Sequence, residues 1–356
     1  MKYKNLGTTN LKVSKICLGT MTFGEQNDKK ESFDMMNYAF SKGVNFFDTA
    51  EMYPIYPQKK TSGDSEKILG SWIKNKKNRD KVIISTKIAS GHPKGIGATK
   101  LKWIRKGGKN LKFDKKNIEQ AVNDSLKRLG TDYIDLYNLH WPERNVPVFG
   151  QLDFNYDPKD LNWTPILEVL ENLKDIIKQG KIRYIGVSNE TPWGVLKFLQ
   201  VSKDNNLPRI MSIQNGYNLV NRVFDISTSE VSLRENCGLL AYSPIAGGRL
   251  SGKYSKRKKP KKTRFTLWPR RFSRHNTKRG EIAIEKYLKI SKKYQLSPVK
   301  LAHAFVLSRP YLTSNIIGAT SVKNLEENIS SIKIKLNKEI LDDIEDVHLS
   351  DPNPCV

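Results

Sequence analysis

Cysteine is scarce in this chain. Cys17, Cys237 and Cys355 are odd in number and far apart, which excludes a disulfide framework. None stands at a metal-ligand spacing, so no structural metal is expected. Long apolar runs are missing too, and nothing approaches the ~18 residues that a membrane span requires. The opening Met1-Lys2-Tyr3-Lys4-Asn5 leads into glycine and threonine without the apolar stretch of a secretory signal. Reduced thiols without span or signal make a cytoplasmic protein the expectation. Apolar residues are only 38% of the chain, which still suffices for a sizeable core if regular elements concentrate them on one side.

Acidic residues are absent from one stretch altogether. Segment 253–280 carries thirteen Lys and Arg and no Asp or Glu, half of the formal net charge of +26. The rest of the excess is scattered lysine, the usual mark of a solvated face. The local stretch interleaves Tyr254, Phe265, Trp268 and Phe272 with its cations. Such a pattern can pair phosphates and stack bases, so nucleic-acid binding is an alternative, as a side activity rather than the main role.

What is present is an alternation of short β-branched runs with amphipathic stretches. The runs are Ile16–Leu18, Val44–Phe47, Val82–Ser85, Ile134–Leu139, Ile182–Val187, Ile210–Ile213, Leu239–Ala241 and Ile316–Ile317. Helix-like stretches between them include 32–41, 65–75, 115–129, 165–179, 192–202 and 322–331. Gly43, Gly130, Gly180 and Gly238 fall just before strands, where helix C-caps are expected. Near-continuous apolar strands alternating with helices argue a parallel sheet. Eight of them fit a closed (β/α)8 TIM barrel better than an open sheet. The expected architecture is a single domain over 1–356, with a hairpin at 3–13 covering the lower end and a final helix near 338–348. Connections 88–114, 141–163 and 243–280 are too long for simple turns, and long βα loops commonly serve function.

In such a barrel the C-terminal strand ends form the active site. Polar residues gather there: Asp48-Thr49-Ala50-Glu51-Met52-Tyr53 after the second strand, Lys87 after the third, Asn138-Leu139-His140 after the fourth. Taken singly, a strand-end Asp caps a helix and a lone His satisfies a backbone group. Together, Asp48, Tyr53, Lys87 and His140 form a complementary set. An ammonium beside a phenol favours the phenolate and lowers the phenol's pKa, a carboxylate holds the ammonium in place, and an imidazole orients a carbonyl. That set suits protonation of a carbonyl oxygen while another group delivers hydride.

Asn45-Phe46-Phe47-Asp48-Thr49-Ala50-Glu51-Met52-Tyr53 resembles the signature of the aldo-keto reductase family. Ile84–Lys87, Leu136–His140 and Lys181–Asn189 are similar to further segments of that family, and the likeness runs from Leu6 to about Asn328. The long loops and Ser243–Gly252 look most like the bacterial Tas-like branch and the potassium-channel β-subunit branch. The resemblance implies an NADP(H)-dependent carbonyl reductase with Asp48, Tyr53, Lys87 and His140 as its catalytic residues. It also implies that Ser188, Asn189 and Gln214 bind the nicotinamide carboxamide and that Tyr242 stacks on its ring. Ser243, Pro244, Ile245, Gly248, Ser251, Gly252 and Lys253 match a segment that wraps the pyrophosphate. Gly318, Thr320, Ser321 and Asn324 match the adenosine ribose and phosphate end, and Glu327 and Asn328 the adenine contacts. Many members carry arginine where Asn324 stands, which places NADPH selectivity on Lys323 or the basic loop. No metal is implied.

Gly95-Ile96-Gly97-Ala98 begins like a Rossmann fingerprint but lacks the third glycine and does not follow a strand, so it is discarded. Trp103, Trp141, Phe149 and Trp163 are candidates for a substrate pocket or for loop packing. Two other functions share these residues. A Schiff-base aldolase would use Lys87 as nucleophile, which needs an uncharged amine that Asp48 opposes. A slow or non-catalytic redox-sensing subunit would carry the same four residues. The partner expected is a small carbonyl compound rather than a membrane, with the oligomeric state open.

Overall fold

The computed structural model describes residues 1–91, 101, 103–106, 111–255, 258–269 and 272–356. The chain opens with an antiparallel hairpin, β1 (Tyr3–Asn5) and β2 (Lys12–Ser14), in which Lys4 pairs with Val13. Eight parallel strands then close into a barrel. They are β3 (Ile16–Gly19), β4 (Phe46–Asp48), β5 (Ile83–Ile88), β6 (Ile134–Leu139), β7 (Ile182–Ser188), β8 (Ile210–Gly216), β9 (Gly238–Tyr242) and β10 (Leu312–Ile317). Each lies beside its successor, and β10 returns to pair with β3. All eight expected strands are present.

Helices α1 (Lys29–Ser41), α2 (Asp64–Lys76), α3 (Lys115–Leu129), α4 (Ile166–Lys178) and α5 (Pro192–Asp204) follow β3 to β7 in turn. After β8 come α6 (Val223–Ile226) and α7 (Thr228–Arg234); after β9, α8 (Arg264–Leu267), α9 (Lys278–Lys293) and α10 (Pro298–Leu307); after β10, α11 (Val322–Ser330) and α12 (Lys338–Ser350). Local chemistry sets several of the starts. Asp28 and Glu31 form a capping box on α1, and Thr191 caps α5 ahead of Pro192. At the other ends, Gly43, Gly130 and Gly180 take left-handed φ angles of +82°, +61° and +73°, as expected of chain reversals after helices.

Gly238 corrects that expectation. It opens β9, and a Cβ there would lie 2.0 Å from Thr313 Oγ1, so it serves close strand packing. Asn236 takes the left-handed position after α7 instead. The 243–280 connection also holds more structure than its charge run implies: a 3-10 turn over Ala246–Ser251, then α8, then another short turn at Ser273–His275. Pieces this short leave no periodicity to read. The fingerprint-like Gly95–Ala98 lies outside the described residues.

Strand side chains alternate in direction, and that period of two builds both core and site. Phe46, Ile83, Leu136, Leu240 and Ile316 point into the lower barrel, where Leu6 and Val13 of the hairpin plug the opening. Two residues further along their strands, or four, the same inward direction reaches Asp48, Lys87, His140 and Tyr242. The alternate residues, such as Phe47 and Ile84, pack outward against the helices. Helix α12 closes against α9 on the outside. Among the described residues no helix is long and apolar enough to cross a membrane.

Candidate active site

The strand register brings the expected residues to one level. Asp48 lies beside Ser85, and Lys87 beside Asn138. Lys87 Nζ donates to Asp48 Oδ2 at 2.6 Å and to Thr49 O at 2.6 Å, in a pair whose side chains are 0% and 4% exposed. Ser85 Oγ and Gln214 Nε2 each donate to Asp48 Oδ1 at 2.9 Å, and Asn138 Nδ2 donates to Ser85 Oγ. Both oxygens of the carboxylate are therefore hydrogen-bonded, as a buried charge requires.

Tyr53 lies above this pair, on the turn between β4 and α2. Its ring centroid is 5.0 Å from Lys87 Nζ and 5.8 Å from the His140 ring, which meets it edge-on. Burial pushes the His140 imidazole well below its usual range, with the Lys87 charge adding to the effect. The ring is therefore neutral near pH 7, and its Nδ1 is buried without a partner. The Tyr53 phenol differs from the expectation. Burial raises its pKa well above the ordinary value; Asp48 and Tyr242 add to the rise, and Arg264 opposes it. Tyr53 is a protonated phenol in this structure.

A cavity of about 410 Å³ runs from these residues across the mouth of the barrel. Of the catalytic candidates Asp48, Tyr53 and His140 line it, whereas Lys87 is buried beneath. Ser188, Asn189, Gln214 and Tyr242 form its floor. Tyr242 Oη donates to Asn189 Oδ1 at 2.5 Å, and Asn189 Nδ2 donates to His140 O at 2.8 Å. Ser243, Pro244, Ile245, Gly248, Ser251 and Lys253 line one wall, and Gly318, Thr320, Asn324, Glu327 and Asn328 the far end. Gly252 and Ser321 do not line it. Gly252 takes a left-handed φ at the end of a turn, and the Ser321 side chain caps α11 by accepting from Asn324 N. Glu327 accepts from Ser297 Oγ. Among the aromatics Trp141 and Phe149 line the cavity; Trp103 packs beside Met52 and Trp141, and Trp163 lines a separate small pocket beneath α4.

Sequence reasoning missed the inward turn of the basic loop. Lys262, Arg264, Arg274 and His275 line the same cavity as Lys253. Among the described residues none of the Lys and Arg side chains of this set is in an ion pair, and no undescribed position is acidic. Burial lowers the Lys253 pKa, with Arg264 adding to the fall, and pulls that of Arg264 down to about 10. Arg249 Nε and His275 Nδ1 are buried without partners. Unpaired donors and cations crowded into one wall form a site for an anion. The missing acid was the readable signal; the folding of the loop onto the barrel was not.

The model of the aldo/keto reductase family matches residues 15–348. The chain belongs to that family. Protein tas of Escherichia coli is 40% identical over 98% of both chains. The uncharacterized oxidoreductase YrpG of Bacillus subtilis is 32% identical over 98% of this chain and 96% of its own. The norsolorinic acid reductase of Aspergillus flavus is 26% identical over 95% of this chain and 79% of its own. This aldo/keto reductase is thus an oxidoreductase, of a family that acts on small carbonyl compounds with a nicotinamide dinucleotide. The cleft fits such a cofactor in outline: an amide-rich floor beside an aromatic ring at one end, and unpaired cations along one wall.

Proposed function

We propose that the protein reduces an aldehyde or ketone to an alcohol with NADPH, and that Tyr53 donates the proton to the carbonyl oxygen. One observation carries this reading: a protonated phenol, a neutral imidazole and a buried ammonium–carboxylate pair meet at one end of a cleft lined by unpaired cations. When bound, the dinucleotide supplies hydride to the carbonyl carbon. Ser188, Asn189 and Gln214 offer amide and hydroxyl groups to its carboxamide, and Tyr242 offers a ring face. Lys253 and Arg264, with Ser243, Pro244, Ile245, Gly248 and Ser251, form the cationic wall for its phosphates. Gly318, Thr320, Asn324, Glu327 and Asn328 hold the adenosine end. Asn324 brings no charge, so discrimination for NADPH rests on Lys253, Lys262 and Arg264.

Tyr53 acts as acid because of what receives its proton. A nascent alkoxide is a base comparable to hydroxide and far stronger than a phenolate. A protonated phenol set against it is therefore a competent proton donor. Lys87, 5.0 Å from the ring centroid, stabilises the phenolate that remains, and Asp48 holds that ammonium in place. His140 stays neutral and directs the carbonyl oxygen toward the phenol. A reducing cytoplasmic setting agrees with three buried, unpaired cysteines.

The test is a tryptophan-fluorescence titration with NADPH and NADH, followed by absorbance of the nicotinamide on adding an aromatic aldehyde. NADPH should bind about tenfold more tightly than NADH or better, given charge-assisted contacts to the extra phosphate, and should be consumed. Binding without consumption favours the redox-sensing role, and binding of neither nucleotide removes the proposal.

A further inference from the structure

The cations of the cleft do not all face the same end. Lys253 lies on the segment that we assign to the dinucleotide's phosphates, whereas Arg274 stands beside the reacting groups. Its guanidinium is 5.2 Å from the Phe149 ring centroid and 5.9 Å from that of Tyr242. Tyr242 is linked through Asn189 to His140, and Phe149 lies on the same long loop as His140 and Trp141. The turn at Gly150 lies directly against Arg274, since a Cβ there would be 3.5 Å from Arg274 Cβ. Arg274 thus lies at the Phe149 and Tyr242 side of the cleft, one hydrogen-bonded residue removed from His140.

Its bonding is incomplete. The half-buried side chain makes no hydrogen bond or ion pair with any described residue, and its guanidinium lies over the two rings. A guanidinium carries five donors in a planar fork matched to a carboxylate. Holding it half-buried and unpaired next to reacting groups is costly unless a ligand completes it. Apolar side chains line the same cavity, among them the flat rings of Trp141, Phe149 and Phe272. Flat walls with one fork-shaped cation call for a planar apolar body bearing one anionic group.

We propose that the preferred substrates are aromatic aldehydes or ketones carrying a carboxylate, and that Arg274 binds that carboxylate while Tyr53 and His140 receive the carbonyl. This inference rests on the reductase reading above and adds the substrate class to it. Arg274 is then a specificity-determining residue that leaves the proton and hydride steps to other groups.

The experiment compares 4-carboxybenzaldehyde with 4-nitrobenzaldehyde, which is neutral and close in shape, using NADPH and three proteins: the native chain, Arg274→Met and Arg274→Lys. The native protein should favour the carboxylate in kcat/KM. Arg274→Met should lower that preference about tenfold or more, the equivalent of one charge-assisted hydrogen bond. Arg274→Lys should restore part of it, and the Kd for NADPH should stay within about twofold in both variants. Native turnover of both aldehydes without a preference for the anion overturns the inference and leaves the reductase intact. Equal loss on both aldehydes with weakened NADPH binding also overturns it, by assigning Arg274 to the cofactor. Turnover of neither aldehyde by the native protein removes the reductase reading, and the substrate class with it.

Discussion

Replacing Lys87 by Met removes the ammonium from beneath the site and leaves the Asp48 carboxylate 4% exposed. Loss of one member of a buried pair costs about 3–5 kcal/mol, because the remaining charge is uncompensated. Asp48 keeps two donors, Ser85 Oγ and Gln214 Nε2, so Lys87→Met should fall near the lower bound. Asp48→Asn leaves the buried ammonium with neutral acceptors, Thr49 O and the amide oxygen, and no counter-charge, and should fall near the upper bound. The double variant carries neither charge and should lose roughly 1–2 kcal/mol, as replacing a whole buried pair usually costs little. A chain of this length gains roughly 0.75 kcal/mol per kelvin in unfolding entropy. The single variants should therefore melt about 4 and 7 °C below the native protein, and the double variant within about 3 °C of it. Circular dichroism melts at one scan rate, with urea titrations beside them, measure the cycle. A double variant that falls by the sum of the two losses, about 11 °C, refutes the coupling and with it the electrostatic account of the pair.

Acid should destabilise the fold through its histidines. His140, His275 and His303 are held below the ordinary imidazole range by burial first of all, His303 at about 4. The unfolded chain takes up protons at these sites first. Stability is therefore complete above about pH 6.5 and falls below it, by about 1.4 kcal/mol per pH unit for each histidine. His303→Asn should remove a third of that slope between about pH 6.5 and pH 5 in urea titrations, and an unchanged slope contradicts the assignment. Arg105→Met strands Glu51, whose carboxyl accepts from Arg105 and from Ala89 N in a pair with both side chains 1% exposed. The segment carrying Leu101 and Ile104 should then detach from Met52 and Trp141, so cleavage by trypsin within 101–113 should accelerate; native resistance denies Arg105 that role. Leu6→Ala opens a hole at the far end of the barrel and should cost about 2–5 kcal/mol while sparing kcat, and a matching loss of kcat argues against the separation of plug and site.

The barrel was legible because its strands are short, β-branched and apolar on both sides, and because inward residues switch from Phe46 and Ile83 to Asp48 and Lys87 within two to four positions. The four catalytic candidates were legible for the same reason: each follows a strand that names its position. Other features depend on distances that the order of residues does not carry. The Tyr53 pKa rises because burial, with Asp48 and Tyr242 adding, outweighs Arg264, and residue types alone favoured the opposite direction. Arg105 meets Glu51 across 54 positions with no local pattern to announce it. The basic loop read as a phosphate partner, but which of its cations enter the cleft appears only in the fold, where Phe265 meets Tyr254 and Phe272 edge-on.

Replacement of Tyr53 by Phe removes one oxygen and keeps the ring that meets His140 and Lys87. The direct measurement is single-turnover oxidation of NADPH by an aromatic aldehyde, with NADPH affinity read from tryptophan fluorescence on the same protein. With Tyr53 as the proton donor, the rate should fall by about 10²–10⁴-fold while the Kd for NADPH stays nearly native. A Tyr53→Phe protein that oxidises NADPH at the native rate contradicts the central claim.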